Sequence, residues 1–328
     1  MTDAVQPDAI QVTRTIPVPT SVSPEAQAAL AAGGLMPRRG PSPALDDHDG
    51  WKAQIAATDA GILAMIGPRA ADAAVEVEST TIGGVPVFVL TPHGVDAGPS
   101  APVYLDIHGG ALIGGGGDAC RAMATQSADR SRMHMWSVDY RMPPDHPYPA
   151  SLDDCLTVYR ALLEHKAPEL IAVGGASAGG NLAAALMLRA LAEDLPMPAC
   201  LVLLTPEVDL NESGDTFETN AGVDTVLPGR LGESIALYAN GHDLTDPLLS
   251  PLFGDLSRFP PTFLQSGTRD LFLSNTVRMH RALRNVGVDA ELHVFEAMPH
   301  GGFWGAPEDA EMAAELRRFL AQHLATTD

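Results

Sequence analysis

Gly175-Ala176-Ser177-Ala178-Gly179 lies between an apolar run, Leu170-Ile171-Ala172-Val173, and a helix-forming stretch, Asn181 to Glu193. That context puts one serine on a sharp strand-to-helix turn, the setting of a nucleophile elbow. Such a turn needs a strained backbone at the serine, and small residues two positions either side so that strand and helix can pass closely. Gly175 and Gly179 meet that demand. The five-residue pattern alone is weak, because a chain with 31 glycines will produce it by accident. The strand before it and the helix after it make the pattern specific.

Working outward, the chain around the elbow alternates strand and helix. Strands are predicted at Val103 to Ile107, His134 to Asp139, Ile171 to Val173, Cys200 to Leu204, Thr262 to Gln265 and Glu291 to Phe295. Helices are predicted at Leu152 to His165, Asn181 to Glu193, Thr276 to Val286 and Glu308 to Leu324. Alternation of this kind argues for a mostly parallel sheet with helices on both faces. Ahead of it, Val75 to Thr80 and Val85 to Leu90 flank Gly83-Gly84, a two-glycine hairpin turn. The character changes near Pro68. Before it, Pro/Gly-rich segments (Pro17 to Pro24, Gly33 to Pro43) surround two alanine-rich stretches, Pro24 to Ala32 and Asp47 to Ile66, which read as short helices. One long polar insertion, Asp209 to Asp246 with a helix at Leu231 to Tyr238, separates two strands and is placed to fold over the sheet's carboxyl edge, where open α/β sheets hold ligands.

Composition bounds the partners. The 328 residues, 45% hydrophobic, suffice for a large core, and the formal charge of −21 argues against nucleic acid or an anionic membrane, since phosphates would repel so acidic a surface. Cys120, Cys155 and Cys200 are too few and too scattered for a disulfide framework or a zinc site, and read as buried free thiols. Neither a basic, apolar leader nor a run of membrane-spanning length is present, so the expectation is a soluble, cytoplasmic protein.

A serine hydroxyl is a poor nucleophile at neutral pH and needs a histidine base oriented by a carboxylate. In α/β-hydrolases these follow in the order serine, acid, histidine. Asp270, just after the strand ending at Gln265, and His300, just after the strand ending at Phe295, fit that order and sit at strand ends. His280 and His293 lie inside a predicted helix and strand, and Asp243 and Asp246 read as loop residues. Acyl-bond hydrolysis also needs donors aimed at the developing oxyanion. His108-Gly109-Gly110-Ala111, directly after the third strand, resembles the HGGG-type loop that supplies them, so the N–H groups of Gly109, Gly110, Ala111 and Ala178 are the expected hole. His108 is expected to anchor that loop, not to act as a second base. The run Gly114 to Gly117 lacks the spacing of a phosphate or dinucleotide loop and reads as flexibility beside the hole.

With these residues the chain resembles bacterial members of the hormone-sensitive-lipase family of α/β-hydrolases, from about Pro102 to Trp304. The likeness is carried by Leu105 to Gly110, by Asp139-Tyr140-Arg141-Met142-Pro143-Pro144-Asp145-His146-Pro147-Tyr148-Pro149-Ala150, by Gly174 to Asn181 and by Asp246 to Leu252. The resemblance implies the α/β-hydrolase fold with a helical cap, a triad of Ser177, Asp270 and His300, and no metal or organic cofactor. It also implies a division into an N-terminal cap segment over residues 1–70 and a catalytic domain over 71–328, with a second cap segment at about 209–246. Two positions depart from the family: Ala176 stands where an acidic residue usually precedes the serine, and Ala111 where a third glycine is usual. The function implied is a serine carboxylesterase acting on short- to medium-chain esters. A lactone hydrolase with the same triad is the near alternative, and a catalytically silent small-molecule-binding protein on the same scaffold is the alternative of another class. A homo-oligomer is compatible with either.

Overall fold

The computed structural model describes residues 10–33 and 40–325. Most of the Pro/Gly-rich stretch Gly33 to Pro43, and the first residues of the N-terminus, lie outside the described residues. An eight-stranded sheet in the order β1-β2-β4-β3-β5-β6-β7-β8 forms the centre. The strands are β1 (Val75–Ile82), β2 (Val85–Pro92), β3 (Val103–Ile107), β4 (His134–Val138), β5 (Ile171–Ala176), β6 (Cys200–Leu204), β7 (Thr262–Gly267) and β8 (Ala290–Phe295). The β1–β2 and β2–β4 pairs are antiparallel and the other five are parallel. Gly83 and Gly84 join β1 to β2 with φ of 56° and 88°, the left-handed pair that a two-residue hairpin requires.

Strands buried on both faces explain the unbroken apolar runs in the sequence: every residue of β3, β6 and β7 is buried, whereas the edge strand β1 is largely exposed. On one face pack α4 (Ala150–His165), α5 (Ala178–Ala192) and α8 (Leu273–Asn285), with Tyr159, Leu182, Leu186 and Leu283 in one large core. The other face is covered by α3 (Asp118–Ser131) and α9 (Pro307–His323), through Ala124, Ala128, Leu316 and Phe319. Helix α3 has no counterpart in the sequence reading. The insertion after β6 carries a four-residue helix, α6 (Thr216–Thr219), and α7 (Gly232–Ala239), whose Ile235 and Tyr238 join the large core.

The N-terminal region holds α1 (Pro24–Gly33) and α2 (His48–Asp72). The second is not the short helix that Pro68 suggested. It runs 25 residues and includes Pro68, which is exposed and near the last turn, where a missing N–H and a ring clash disturb least. Asp47 caps its start by accepting from Gly50 N–H, and Trp51, fully buried, donates its indole N–H to the Ala44 carbonyl at 3.0 Å. Val22, Ala26 and Leu30 pack against Met298 and Phe303, and Ser23 bonds Glu308.

Registers Ile107↔Gly175, Ala176↔Leu204 and Gly267↔Phe295 bring the carboxyl ends of β3, β5, β6, β7 and β8 to one edge. The residues singled out above all follow those ends.

Candidate active site

Ser177 follows β5 with φ 57° and ψ −121°, a conformation that L-residues rarely adopt. It is held there from both sides: its N–H donates to the Leu204 carbonyl at 2.9 Å, and its carbonyl accepts from Asn181 and Glu207. A Cβ on Gly175 would run into Gly179 and the Ile107 carbonyl, and one on Gly179 into the Ile107 and His108 carbonyls. Both glycines therefore keep the close approach that the turn needs. The serine itself is half-buried, at the N-terminus of α5.

Asp270 and His300 are brought together. Asp270 is fully buried, His300 is 6% exposed, and His300 Nδ1 lies 3.0 Å from Asp270 Oδ1. A carboxylate oxygen accepts, so the proton belongs on Nδ1 and the neutral ring keeps its lone pair on Nε2. The carboxylate is fixed by two more donors, Phe272 N–H on Oδ1 at 2.9 Å and the Ser266 hydroxyl on Oδ2 at 2.6 Å. The Phe272 ring meets the imidazole edge-on, with centroids 4.9 Å apart. Burial disfavours the charged imidazole, but the Asp270 carboxylate and its hydrogen bond, with Asp224 adding to them, carry the His300 pKa above its usual value of 6.5.

Asp224 was not foreseen. It lies in the insertion, 2% exposed, and accepts four backbone N–H groups: Val226 at 2.8 Å, Leu227 at 3.1 Å, Leu271 at 2.8 Å and His300 at 3.3 Å. Burial raises its own pKa. Asn220, also in the insertion, donates to the carbonyls of Thr268 and Asp270. The insertion thus clamps the loops carrying both Asp270 and His300. By contrast Asp243 and Asp246 cap turns, as expected of loop residues.

The loop after β3 is wound tightly: Gly110, Ala111 and Leu112 have φ of 139°, 55° and 65°, and Gly110 accepts from Ile113 and Gly114. At Gly110 a Cβ would overlap the Gly114 carbonyl. Among the described residues, the N–H groups of Gly109, Gly110, Ala111 and Ala178 donate to no carbonyl or side chain. His108 anchors the loop as its sequence position suggested. Its ring stacks on Tyr140 at 4.0 Å, its Nδ1 bonds the Gly109 carbonyl at 2.8 Å, and its own carbonyl accepts from the Tyr140 hydroxyl.

Ala176 borders a cavity of about 420 Å³ on the α3/α9 side of the sheet, shared with Gly109, Thr205, Arg130 and Gly301. A longer side chain at 176 would project there, so the alanine leaves space behind the elbow instead of a polar tie. Cys120, Cys155 and Cys200 are buried free thiols. No described helix is long and apolar enough to cross a membrane.

Known proteins share this architecture. The family model for the alpha/beta hydrolase fold matches residues 104–304. An esterase of Acinetobacter venetianus is 35% identical over 201 residues, 58% of this chain and 64% of that protein, so the chain matches a little under two thirds of that relative's length. The crystal structure of an esterase, E25, superposes with a TM-score of 0.88 at 39% identity, over 97% of this chain and 99% of that one. An esterase of the bacterial hormone-sensitive lipase family does so with a TM-score of 0.78 at 29% identity, over 92% and 99%. By sequence and by fold, with likeness to esterases across nearly its whole length, the chain belongs to the hormone-sensitive-lipase family of α/β-hydrolases.

Proposed function

We propose that Ser177, His300 and Asp270 form the triad of a serine esterase for short- to medium-chain esters. The observation that carries this is the buried Asp270–His300 pair, 3.0 Å apart, on the same sheet edge as a serine held at φ 57°. His300 Nε2 takes the proton of Ser177 as its Oγ attacks the ester carbonyl, and Asp270 stabilises the imidazolium that forms. The unclaimed N–H groups of Gly109, Gly110, Ala111 and Ala178 receive the oxyanion. His300 then protonates the departing alcohol, and water activated by the same imidazole cleaves the acyl-enzyme.

The N-terminal segment and the 209–246 insertion form the cap in this reading. Of the four described cap helices, α1, α6 and α7 are at most ten residues long and α2 alone is longer, at 25 residues; a cap built mainly of short helices favours short acyl groups. Nothing in the site favours the lactone alternative over open-chain esters. The intact acid–base pair speaks against a silent binding protein. Ser177→Ala should lower hydrolysis of p-nitrophenyl butyrate by roughly 10⁴-fold or more without changing the far-UV circular dichroism. Turnover within a few-fold of wild type would remove Ser177 from the mechanism.

A further inference from the structure

His108, Cys120 and Asp139 sit beside the loop assigned above to the oxyanion, and no step of hydrolysis uses their side chains. One potential ligand atom from each lies within 4.8 Å of the others. Strands β3 and β4 pair Ile107 with Val138, so the next residues, His108 and Asp139, leave the sheet side by side. Cys120, in the first turn of α3, lies over them with its sulfur 3.7 Å from Ser137 Oγ and 3.9 Å from the Val138 carbonyl, both long for a hydrogen bond of consequence.

The histidine supplies an independent pointer. Its Nδ1 is committed to the Gly109 carbonyl, an acceptor, so Nδ1 holds the proton and Nε2 holds the lone pair. That Nε2 is buried without a hydrogen-bond partner among the described residues, on a side chain whose residue is 3% exposed. Leaving a buried acceptor unmatched costs about 1–3 kcal/mol. An imidazole tethered through Nδ1–H to a main-chain carbonyl, with the other nitrogen free, is how metal-ligating histidines are oriented. One nitrogen, one sulfur and one carboxylate oxygen suit a borderline-soft ion taking three protein ligands and a water; they do not suit magnesium or calcium, which want six or more oxygens.

We propose that His108, Cys120 and Asp139 form an inhibitory site for a thiophilic divalent cation, zinc being the type. Zinc–ligand bonds of about 2.0–2.3 Å require the three groups to draw together by roughly an ångström. The Cys120 thiol gives its proton to solvent as the sulfur–metal bond forms, while His108 and Asp139 each lend a lone pair. Gly116 and Gly117, half-buried and exposed, are the part of the glycine run that meets solvent beside the three groups, whereas Gly114 and Gly115 are buried. Gly115 packs over His108 Nδ1, Gly117 N–H bonds Asp139 Oδ1 at 3.0 Å, and both glycines have φ in the left-handed region. Moving His108 shifts the loop it anchors, and a displacement of about 1 Å at reacting groups can cost 10²-fold in rate. The inhibitory consequence rests on the oxyanion assignment; the site itself does not.

The test uses the full-length protein after chelation, with zinc and cobalt chlorides as probes. Calorimetry should show one zinc per chain, and cobalt should give a thiolate-to-metal charge-transfer band; Cys120→Ala should lose both. Zinc should slow p-nitrophenyl ester hydrolysis by roughly ten-fold or more in wild type and restore on chelation, yet leave the Cys120→Ala variant nearly untouched. Asp139→Asn, which leaves the sulfur in place, serves if the first variant does not fold, and should weaken zinc by about 10-fold or more. Equal zinc inhibition of wild type and variants, or cobalt binding without the sulfur band, overturns the site. If the protein hydrolyses no ester at all, the active-site reading fails, while stoichiometry and spectrum still decide this one.

Discussion

Four backbone N–H groups converge on Asp224, and two of them belong to His300 and to Leu271, the neighbour of Asp270. A carboxylate so placed orients the acid–base pair and adds to the field that raises the His300 pKa. General-base action requires neutral His300, so kcat/KM should fall as pH drops through a value above 6.5. Stability runs the other way: the raised pKa stabilises the fold fully below about 6.5 and loses that contribution as pH rises through the folded value. Asp224→Asn should move the acidic limb of kcat/KM downward and destabilise by about 1–3 kcal/mol, because one amide hydrogen must face a backbone donor. An unmoved limb in the variant would assign Asp224 to loop structure alone. None of this was legible in the sequence, where Asp224 is one acid in a polar insertion. Ser177, Asp270 and His300 could be singled out from the sequence because each lies within a few residues of a strand's end, in the order serine, acid, histidine.

At the scale of elements, the loop Gly110-Ala111-Leu112 stores strain that its sequence partly announces. Ala111 occupies φ 55° where glycine would sit without a Cβ penalty. Replacing it by glycine should stabilise by up to about 1 kcal/mol, the strain relieved exceeding the extra chain entropy. A urea midpoint lower than wild type would contradict that. Helix α3 escaped the sequence reading for a physical reason. Its buried face is built of Ala119, Cys120, Ala122, Ala124, Thr125, Ala128 and Ser131, residues too small and polar to print a 3.6-residue apolar period. Helix α2 erred in the opposite sense, since Pro68 near an exposed last turn did not end it. The strands were plain because parallel strands covered on both faces read as continuous apolar runs.

For the whole molecule, order along the chain carried the fold: the residues expected as elbow, acid and histidine, the first two separated by β6 and β7 and the last two by β8, reach one edge because those strands run parallel. What the sequence withheld is how the N-terminal segment meets that edge. Val22, Ala26 and Leu30 pack behind Met298 and Phe303, the neighbours of His300, and Arg269 reaches the Pro17 carbonyl. Deleting residues 1–33 should therefore destabilise the protein by several kcal/mol, at about 1.5–3 kcal/mol per buried apolar side chain lost, and raise KM for butyrate more than for acetate esters. Unchanged melting and unchanged KM would remove that segment from the cap. The most direct test of the account is covalent. Treating the protein with a p-nitrophenyl alkylphosphonate and mapping peptides by mass spectrometry should find one adduct, on Ser177, forming in step with loss of esterase activity; an adduct on another residue, or full activity with Ser177 modified, would contradict it.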